Sequence, residues 1–359
     1  MKEAAVYIIA EAGVNHNGQP DLAFALVEEA ARIGADAVKF QTFNAAKLAA
    51  ANAPKASYQK RTTDASESQR EMLKKLELGQ ELHKALRSRA IGLGIEFLST
   101  AFDADSLAFL LRLGMPRVKV PSGELTNAPL VWRTARSRLP LIISTGMATL
   151  SEVEQALAVV AHAYNASAEP ASLEEVWKGW SNEDWRQSLR SHVTLMHCTS
   201  QYPAPLTTVN LRAMDTLAGA FELDVGYSDH TDGILIPIAA VARGAVVIEK
   251  HFTLDRTMAG PDHAASLEPA AFLQMVQEIR SLTLALGDGR KAPQTGEWDT
   301  RLAARQQVVA ARNIRSGAIL VLDDLTTARC GHGLEASMLW GLVGSTTKRA
   351  FVMGEPIEA

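Results

Sequence analysis

The stretch AVVIEKHFTLDRTMAGPDH at residues 245–263 ends an apolar run on three ionisable side chains, Glu249, Lys250 and His251. A strand that only filled a core would end on turn residues, because burying charged groups without partners costs free energy. In an extended strand, Glu249 and His251 point to one side and Lys250 points to the other. The pattern therefore predicts a buried strand whose C-terminal end lies in a site that holds charge.

Seven further apolar runs of strand length occur in the chain, with helical patterns such as 20–36 and 151–164 between them. Strands that alternate with helices pair in parallel, and uninterrupted apolar runs fit strands that are covered on both faces. The eight runs are YIIAEAG at 7–13, AVKFQTF at 37–43, GIEFLSTAF at 94–102, RVKVPSG at 117–123, LIISTGM at 141–147, VTLMHCT at 193–199, ELDVGYSD at 222–229 and VVIEKHF at 246–252. Eight such units in about 250 residues predict an α/β fold of the (β/α)8 TIM barrel type, with an open doubly wound sheet as the alternative.

Polar residues at the ends of these runs favour the barrel. The C-terminal ends of all eight barrel strands meet on one rim, whereas an open sheet would scatter them. The end groups are Glu11, Lys39 and Gln41, Ser99 and Thr100, Lys119 with Ser122 and Glu124, Ser144, His197 and Thr199, Ser228 with Asp229 and His230, and Glu249 with His251. We therefore expect one polar site at this rim.

Two histidines close neighbouring predicted strands beside acidic residues, His230 in GYSDHTDG and His251 in EKHFT. Two imidazoles with open coordination positions suit a borderline divalent ion such as Mn²⁺, Co²⁺ or Zn²⁺. A single histidine of this kind would more often bond a loop carbonyl. The pair together favours a metal site.

Lysines and serines from three predicted strands indicate an oxyanion site; they are Lys39, Lys119, Ser122 and Ser144. A phosphate offers negative charge and acceptors to ammonium and hydroxyl donors together. The alternative is a set of ion pairs, Lys39 with Glu11 or Lys119 with Glu124. The set includes no Gly-rich phosphate loop, so it is a constellation of residues rather than a motif.

Composition excludes several classes of function. The chain has 359 residues and a formal net charge of −4, which gives no electrostatic footprint for nucleic acid or an anionic membrane. Its two cysteines, Cys198 and Cys330, fit no metal-ligand spacing and favour a reducing compartment. The N-terminus lacks the pattern of a signal peptide, and no apolar run reaches about 18 residues. We therefore expect a cytoplasmic protein.

Nearly the whole chain resembles the sialic acid synthases, or more broadly the nonulosonate synthases, which condense phosphoenolpyruvate with an N-acetylmannosamine-like sugar. The order and spacing of the matching segments make the resemblance specific. These segments are IIAEAGVNHNG, GADAVKFQTF, APKASYQK, FLSTAFD, KVPSGELTNAPL, IISTGMATLSEVEQAL, HCTSQYP, VGYSDHT, and EKHFT followed by GPDH.

The resemblance implies a role for each matching residue. His230 and His251 match the metal ligands, usually of manganese, with Mg²⁺ or Co²⁺ as alternatives, and Glu11 matches the acid near the reacting centre. The phosphoenolpyruvate contacts correspond to Lys39, Thr100, Lys119, Ser122, Ser144, Ser200 and Ser228, with Ser200 standing where the family often has Asn. The sugar contacts correspond to Gln41, Glu124, Tyr202 and Asp262. Glu249 is expected to support the metal ligands by orienting His251.

The C-terminal tail resembles the small antifreeze-like (β-clip or SAF) domain of these synthases. We therefore expect a barrel domain at 1–286, a Gly- and Pro-bearing linker at 287–305, and a SAF domain at 306–359. In the family this domain is swapped across a homodimer and sends an arginine into the partner's barrel. Arg329 matches that arginine, followed by Cys330 where the family has Pro.

The substrate is narrowed by PSGE at 121–124, the form found in synthases for N-acetylneuraminate and legionaminate rather than pseudaminate. We expect an N-acetylneuraminate synthase, with legionaminate synthase, acting on 2,4-diacetamido-2,4,6-trideoxymannose, as the alternative. Another metal-dependent phosphoenolpyruvate-sugar synthase, an aldolase and a non-catalytic sugar-binding protein remain further hypotheses. The polar segment 56–69 is expected to be a solvated loop, with a mobile cover over the barrel mouth as the alternative.

Overall fold

The computed structural model describes residues 6–64 and 66–358. Contacts divide the chain into two compact units, one ending at Gly287 and the other beginning at Asp288. No helix within the described ranges is long and apolar enough to cross a membrane.

The first unit is built on eight parallel strands in the order β3-β2-β1-β8-β7-β6-β5-β4. The strands are β1 Tyr7–Gly13, β2 Ala37–Thr42, β3 Glu96–Ala101, β4 Val118–Val120, β5 Leu141–Ser144, β6 Val193–Cys198, β7 Asp224–Asp229 and β8 Val247–His251. The two ends of this order, β3 and β4, also contact each other. The predicted (β/α)8 barrel is confirmed.

Helices follow the strands along the chain, as the alternating pattern predicts. They are α1 Pro20–Arg32, α2 Ala45–Leu48, α3 Ser57–Thr62, α4 Gln69–Lys74, α5 Gln80–Gly92, α6 Ala104–Leu113, α7 Ala128–Ala135, α8 Leu150–Asn165, α9 Leu173–Trp180, α10 Glu183–Gln187, α11 Arg212–Phe221, α12 Leu235–Ala242 and α13 Pro269–Leu286. Helix α8 shows how the sequence sets a helix start. The Thr149 side chain accepts from the Glu152 backbone and Glu152 reaches back, which satisfies two free helix donors.

Strand register places the polar residues beside one another. Glu11 in β1 lies opposite Lys39 in β2 and His251 in β8. Ser228 in β7 lies opposite Glu249 in β8. The register therefore places these polar side chains next to one another on neighbouring strands of the barrel.

The second unit has a small core of its own. Strands β9 Gln307–Ala310 and β10 Leu325–Ala328 pair antiparallel. The buried apolar residues around them are Val308, Ala310, Ile314, Leu320, Leu325, Phe351 and Ile357. The predicted linker, 287–305, contains helix α14 at Trp298–Ala304, and α15 at Leu339–Leu342 lies near the C-terminus.

Candidate active site

A cavity of about 420 Å³ opens at the C-terminal ends of the barrel strands. The predicted site residues that line it are Glu11, Lys39, Gln41, Thr100, Lys119, Ser122, Ser144, Ser200, Tyr202, Ser228, His230 and His251. Three predicted sugar contacts, Glu124, Asp262 and Arg329, are not among its lining residues. The structure therefore brings residues from all eight strands to one place.

Larger cavities lie elsewhere on the barrel without such a convergence. One of about 620 Å³ is lined by Tyr7, Glu96 and Arg117, at the opposite ends of the strands. Its ionic groups bind each other, since Arg117 Nε donates to Glu96 at 2.9 Å and stacks on Tyr7. The convergence of predicted site residues is found in the cavity at the C-terminal rim.

The floor of the rim cavity is a cluster of two lysines and two carboxylates. Lys39 forms an ion pair with Glu11 and donates to Thr100 Oγ1 at 3.0 Å. Lys119 donates to both oxygens of Glu249, at 2.8 Å each, and Lys39 lies 3.6 Å from the same carboxylate. The ion pair between Lys39 and Glu11 is therefore present, whereas Lys119 has Glu249 as its partner.

These contacts show that Glu249 does not have the role expected from the sequence, which was to orient His251. Its carboxylate is occupied by the two lysines and by Ser228, whose Oγ donates to it at 3.0 Å. No hydrogen bond joins it to His251 among the described residues. Glu249 orients the lysines rather than the histidine, because two ammonium groups offer a buried carboxylate far more than one neutral ring.

The two carboxylates respond differently to burial. Burial raises the pKa of Glu11 above its usual range, against the opposing charge of Lys39. Burial acts on Glu249 in the same way, but the charges of Lys119 and Lys39 outweigh it and lower the pKa of Glu249. The two lysines thus keep Glu249 ionised, and Glu11 is the carboxyl that retains a proton more readily.

The side chains of Ser122, Cys198 and Ser200 lie close to the backbone of Gly146. The backbone N–H of Gly146 donates to Ser122 Oγ at 3.0 Å, and Ser122 Oγ lies 3.2 Å from Cys198 Sγ. A Cβ added at Gly146 would lie 2.5 Å from Ser200 Oγ and 2.7 Å from Cys198 Sγ. Glycine is needed here because the serine hydroxyls approach the backbone this closely.

The two predicted metal ligands stand side by side, with ring centroids 5.5 Å apart. His230 Nδ1 donates to the Thr199 carbonyl at 2.7 Å, which leaves Nε2 as a free lone pair. His251 Nδ1 is buried without a hydrogen-bond partner among the described residues. Burial lowers the pKa of both histidines, so both rings are neutral and able to bind a cation.

These properties fit a divalent metal held by two protein ligands. Within residues 6–64 and 66–358, no group of three or more His, Cys, Asp or Glu side chains is placed to ligate an ion. Further ligands would therefore come from water or substrate oxygens, as in sites that keep open coordination positions.

Lys250 points away from the cavity, as the strand alternation predicts. Its side chain is fully buried, forms an ion pair with Asp229 and donates to the Thr231 carbonyl at 2.6 Å. Asp229 also accepts from the backbone and hydroxyl of Thr231, both at 3.1 Å. Because Asp229 and Thr231 flank His230, Lys250 ties the His230 backbone to strand β8.

We predict that Lys250→Met lowers the free energy of unfolding by about 3–5 kcal/mol, because it leaves the Asp229 carboxylate buried without its partner. Urea unfolding followed by circular dichroism measures the change. The double variant Lys250→Met/Asp229→Leu removes both charges and should recover most of the loss. A loss below about 1 kcal/mol in the single variant would contradict the prediction, since surface pairs already contribute that much.

Aromatic rings lead from the histidines toward the mouth of the cavity. The Tyr202 ring lies 4.2 Å from the His230 ring, and the Tyr58 ring lies 4.8 Å from Tyr202. Gln41 Nε2 donates to Glu11 Oε1 at 3.4 Å on the same side. Tyr58 and Gln59 line the cavity and were missed by the residue-by-residue prediction.

The expectation of a solvated loop at 56–69 is wrong for the described residues of this segment, which contains helix α3 and the first residue of α4. The buried Lys55 side chain organises it, with Nζ donating to Thr63 Oγ1 at 2.8 Å and to the Asp64 carbonyl. Beyond it, Met72 packs in a small cluster with Val14 and Phe43. The sequence did contain a signal for Tyr58 and Gln59, because the APKASYQK segment is among those that resemble the nonulosonate synthases.

The three predicted residues outside the cavity lining have different surroundings. Glu124 accepts from Asn127 Nδ2 at 2.7 Å. Asp262 is buried, and this burial raises the pKa of its carboxyl to about 6. Arg329 follows β10 in the second unit and is exposed there.

Comparison with known proteins agrees with this geometry. The model of the NeuB family matches residues 26–291, and the model of the SAF domain matches residues 305–359. An N,N'-diacetyllegionaminic acid synthase of Legionella pneumophila is 47% identical over 94% of this chain and 89% of its own length. A protein of the same name from Campylobacter jejuni is 44% identical over 98% of both chains.

A solved structure gives the same result. The N-acetylneuraminic acid synthetase of Leptospira borgpetersenii, in complex with citrate, superposes with a TM-score of 0.66 at 33% identity. The match covers 83% of this chain and 90% of that one. Eight parallel strands, a polar C-terminal rim and the two family matches lead to one conclusion: the chain belongs to the NeuB family and carries a SAF domain.

Proposed function

We propose that the protein condenses phosphoenolpyruvate with 2,4-diacetamido-2,4,6-trideoxymannose, giving N,N'-diacetyllegionaminic acid and inorganic phosphate. The observation that carries the proposal is the convergence of Lys39 and Lys119 with the His230–His251 pair in one cavity. The relatives at 47% and 44% identity support the legionaminate reaction better than the N-acetylneuraminate reaction expected from the sequence.

Phosphoenolpyruvate would occupy the floor of the cavity. Its phosphate and carboxylate bring negative charge to Lys39 and Lys119, which already face carboxylates in a buried setting. The hydroxyl donors proposed around it are Thr100, Ser122, Ser144, Ser200 and Ser228. The cluster with Glu249 holds both ammonium groups in place before the substrate arrives, so little side-chain entropy is lost on binding.

A divalent metal, Mn²⁺ as first choice, would be held by His230 and His251, with Mg²⁺ or Co²⁺ as alternatives. When bound, it supplies a Lewis acid that polarises the aldehyde of the open-chain sugar. Neutral imidazoles with free lone pairs, as the lowered pKa values of both histidines indicate, support this assignment.

Glu11 is our candidate for the proton transfers. The methylene carbon of phosphoenolpyruvate forms a bond to the aldehyde carbon, and Glu11 gives its proton to the aldehyde oxygen. Water then adds to the carbon that bears the phosphate, and Glu11 takes a proton from it. The oxygen added from water then forms the ketone C=O bond as the C–O bond to phosphate breaks, and inorganic phosphate leaves with the proton of that hydroxyl. A carboxyl whose pKa is raised by burial is suited to both transfers near neutral pH.

We further propose a homodimer in which Arg329 of the SAF domain meets the sugar bound by the partner's barrel. The exposed position of Arg329 on its own unit supports this. Light scattering coupled to gel filtration tests it. A monomer of 38.7 kDa that retains full activity would contradict it.

The test of the function is release of inorganic phosphate from phosphoenolpyruvate by the purified protein. Each sugar, the 2,4-diacetamido sugar or N-acetylmannosamine, is supplied with Mn²⁺ or with chelator. We expect release that needs the metal and is faster with the diacetamido sugar. Faster release with N-acetylmannosamine would favour the N-acetylneuraminate reaction, and no release with either sugar would refute the condensation.

A further inference from the structure

The segment 53–69 covers one side of the cavity with residues that the reaction chemistry does not use. Ala56, Tyr58, Gln59 and Gln69 line the cavity together with Glu11 and the histidines. The Lys55 ammonium holds the segment in this position through Thr63, Asp64 and Glu67. We call residues 53–69 the β2 cover, meaning its described positions.

Three rings set the direction from the reacting end to the outside. His230 lies deepest, Tyr202 stands 4.2 Å from it, and Tyr58 stands 4.8 Å from Tyr202. An aldehyde placed at His230 leaves the rest of an open-chain hexose, with bonds of about 1.5 Å, to extend roughly 6 Å further. The Tyr58 ring is therefore level with carbons 4 to 6 of the sugar rather than with its reacting carbon.

The surroundings of Tyr58 suit an amide and a methyl better than free hydroxyls. The wall is aromatic, with Tyr58, Tyr202 and Phe102 lining the cavity. Burial raises the pKa of Tyr58, and the Asp262 charge adds to this effect. Asp262 itself is not among the residues that line the cavity, so the recognition proposed here rests on the aromatic wall.

We propose that Tyr58 is a specificity residue, which contacts carbons 4 to 6 of the sugar and favours the 4-acetamido, 6-deoxy form over a sugar with hydroxyls there. The proposal rests on the proposed function and adds the part of the chain that reads the distal end of the substrate. A methyl group on an aromatic face gains apolar contact, whereas a hydroxyl there loses its water without a partner.

The test compares Tyr58→Ala with the unchanged protein on both sugars and on phosphoenolpyruvate. We expect kcat/KM for the 2,4-diacetamido sugar to fall about 10- to 100-fold, mainly through KM, because a buried ring contact is lost. For N-acetylmannosamine, kcat/KM should change less than about threefold, and KM for phosphoenolpyruvate should stay unchanged. Tyr58→Phe, which keeps the ring, should retain most of the discrimination.

Lys60→Ala provides the matched control, since Lys60 lies two residues away on the same helix and is exposed. Lys60→Ala should leave kcat/KM for both sugars unchanged. A parallel fall for both sugars in Tyr58→Ala would overturn the proposal, because the β2 cover would then only exclude water. The proposal would also be overturned if Tyr58→Ala left kcat/KM for both sugars unchanged. Both outcomes differ from failure of the proposed function, in which the unchanged protein releases no phosphate with either sugar.

Discussion

Glu11→Gln is expected to lower kcat for phosphate release about 100- to 10,000-fold, the range typical of a lost general acid–base group. The amide preserves the shape of the side chain but cannot give or take a proton. KM for phosphoenolpyruvate should not rise, because Lys39 loses a competing carboxylate and keeps Glu249 within 3.6 Å. Steady-state kinetics with the 2,4-diacetamido sugar and Mn²⁺ measure both constants.

The matched control is Glu174→Gln on the exposed side of α9, which makes the same chemical change far from the cavity. It should leave kcat unchanged. A kcat within about tenfold of the unchanged protein in Glu11→Gln would assign the proton transfers to another group. Equal thermal midpoints for both variants would exclude unfolding as the cause of a lost rate.

His230→Ala is expected to weaken Mn²⁺ binding by more than about 100-fold, since outer partners of a metal ligand alone contribute 10- to 100-fold. Its ring supplies one of the two nitrogens available to the ion. Titration of the purified protein with Mn²⁺, followed by electron paramagnetic resonance of the free ion, measures the affinity without any turnover. Phosphate release should be lost in the same variant.

His192→Ala serves as the control because His192 is an exposed histidine of the same barrel. It should bind Mn²⁺ as the unchanged protein does. Unchanged Mn²⁺ affinity in His230→Ala would show that His230 does not ligate the ion. A tight site with a different metal preference, tested with Mg²⁺ and Co²⁺ in the same titration, would correct only the identity of the ion.

The architecture could be read from the sequence because its signals are local. Apolar runs of strand length alternate with helical patterns, and each run ends on polar residues, as 245–252 does. The two-residue periodicity of a strand also predicts which side chains share a face, so Lys250 was expected to point away from Glu249 and His251. The buried pair that Lys250 forms with Asp229 agrees with this.

Partners across the barrel were decided by the tertiary structure. Lys119 in β4 and Glu249 in β8 belong to strands that do not pair, and they meet because the closed barrel turns both side chains inward. In the sequence, the candidate partner of Lys119 was Glu124, the nearest acidic residue along the chain. Tyr58 reaches Tyr202 across 144 positions because the segment after β2 lies over the cavity that Tyr202 lines.

The sequence by itself thus determined the barrel, its polar rim and the residues gathered there, because periodicity and strand ends depend on neighbours in the chain. The tertiary structure decided which charges pair, which carboxyl has its pKa raised by burial, and that the segment after β2 covers the cavity. These depend on burial and on contacts between distant strands, which arise only when the barrel closes.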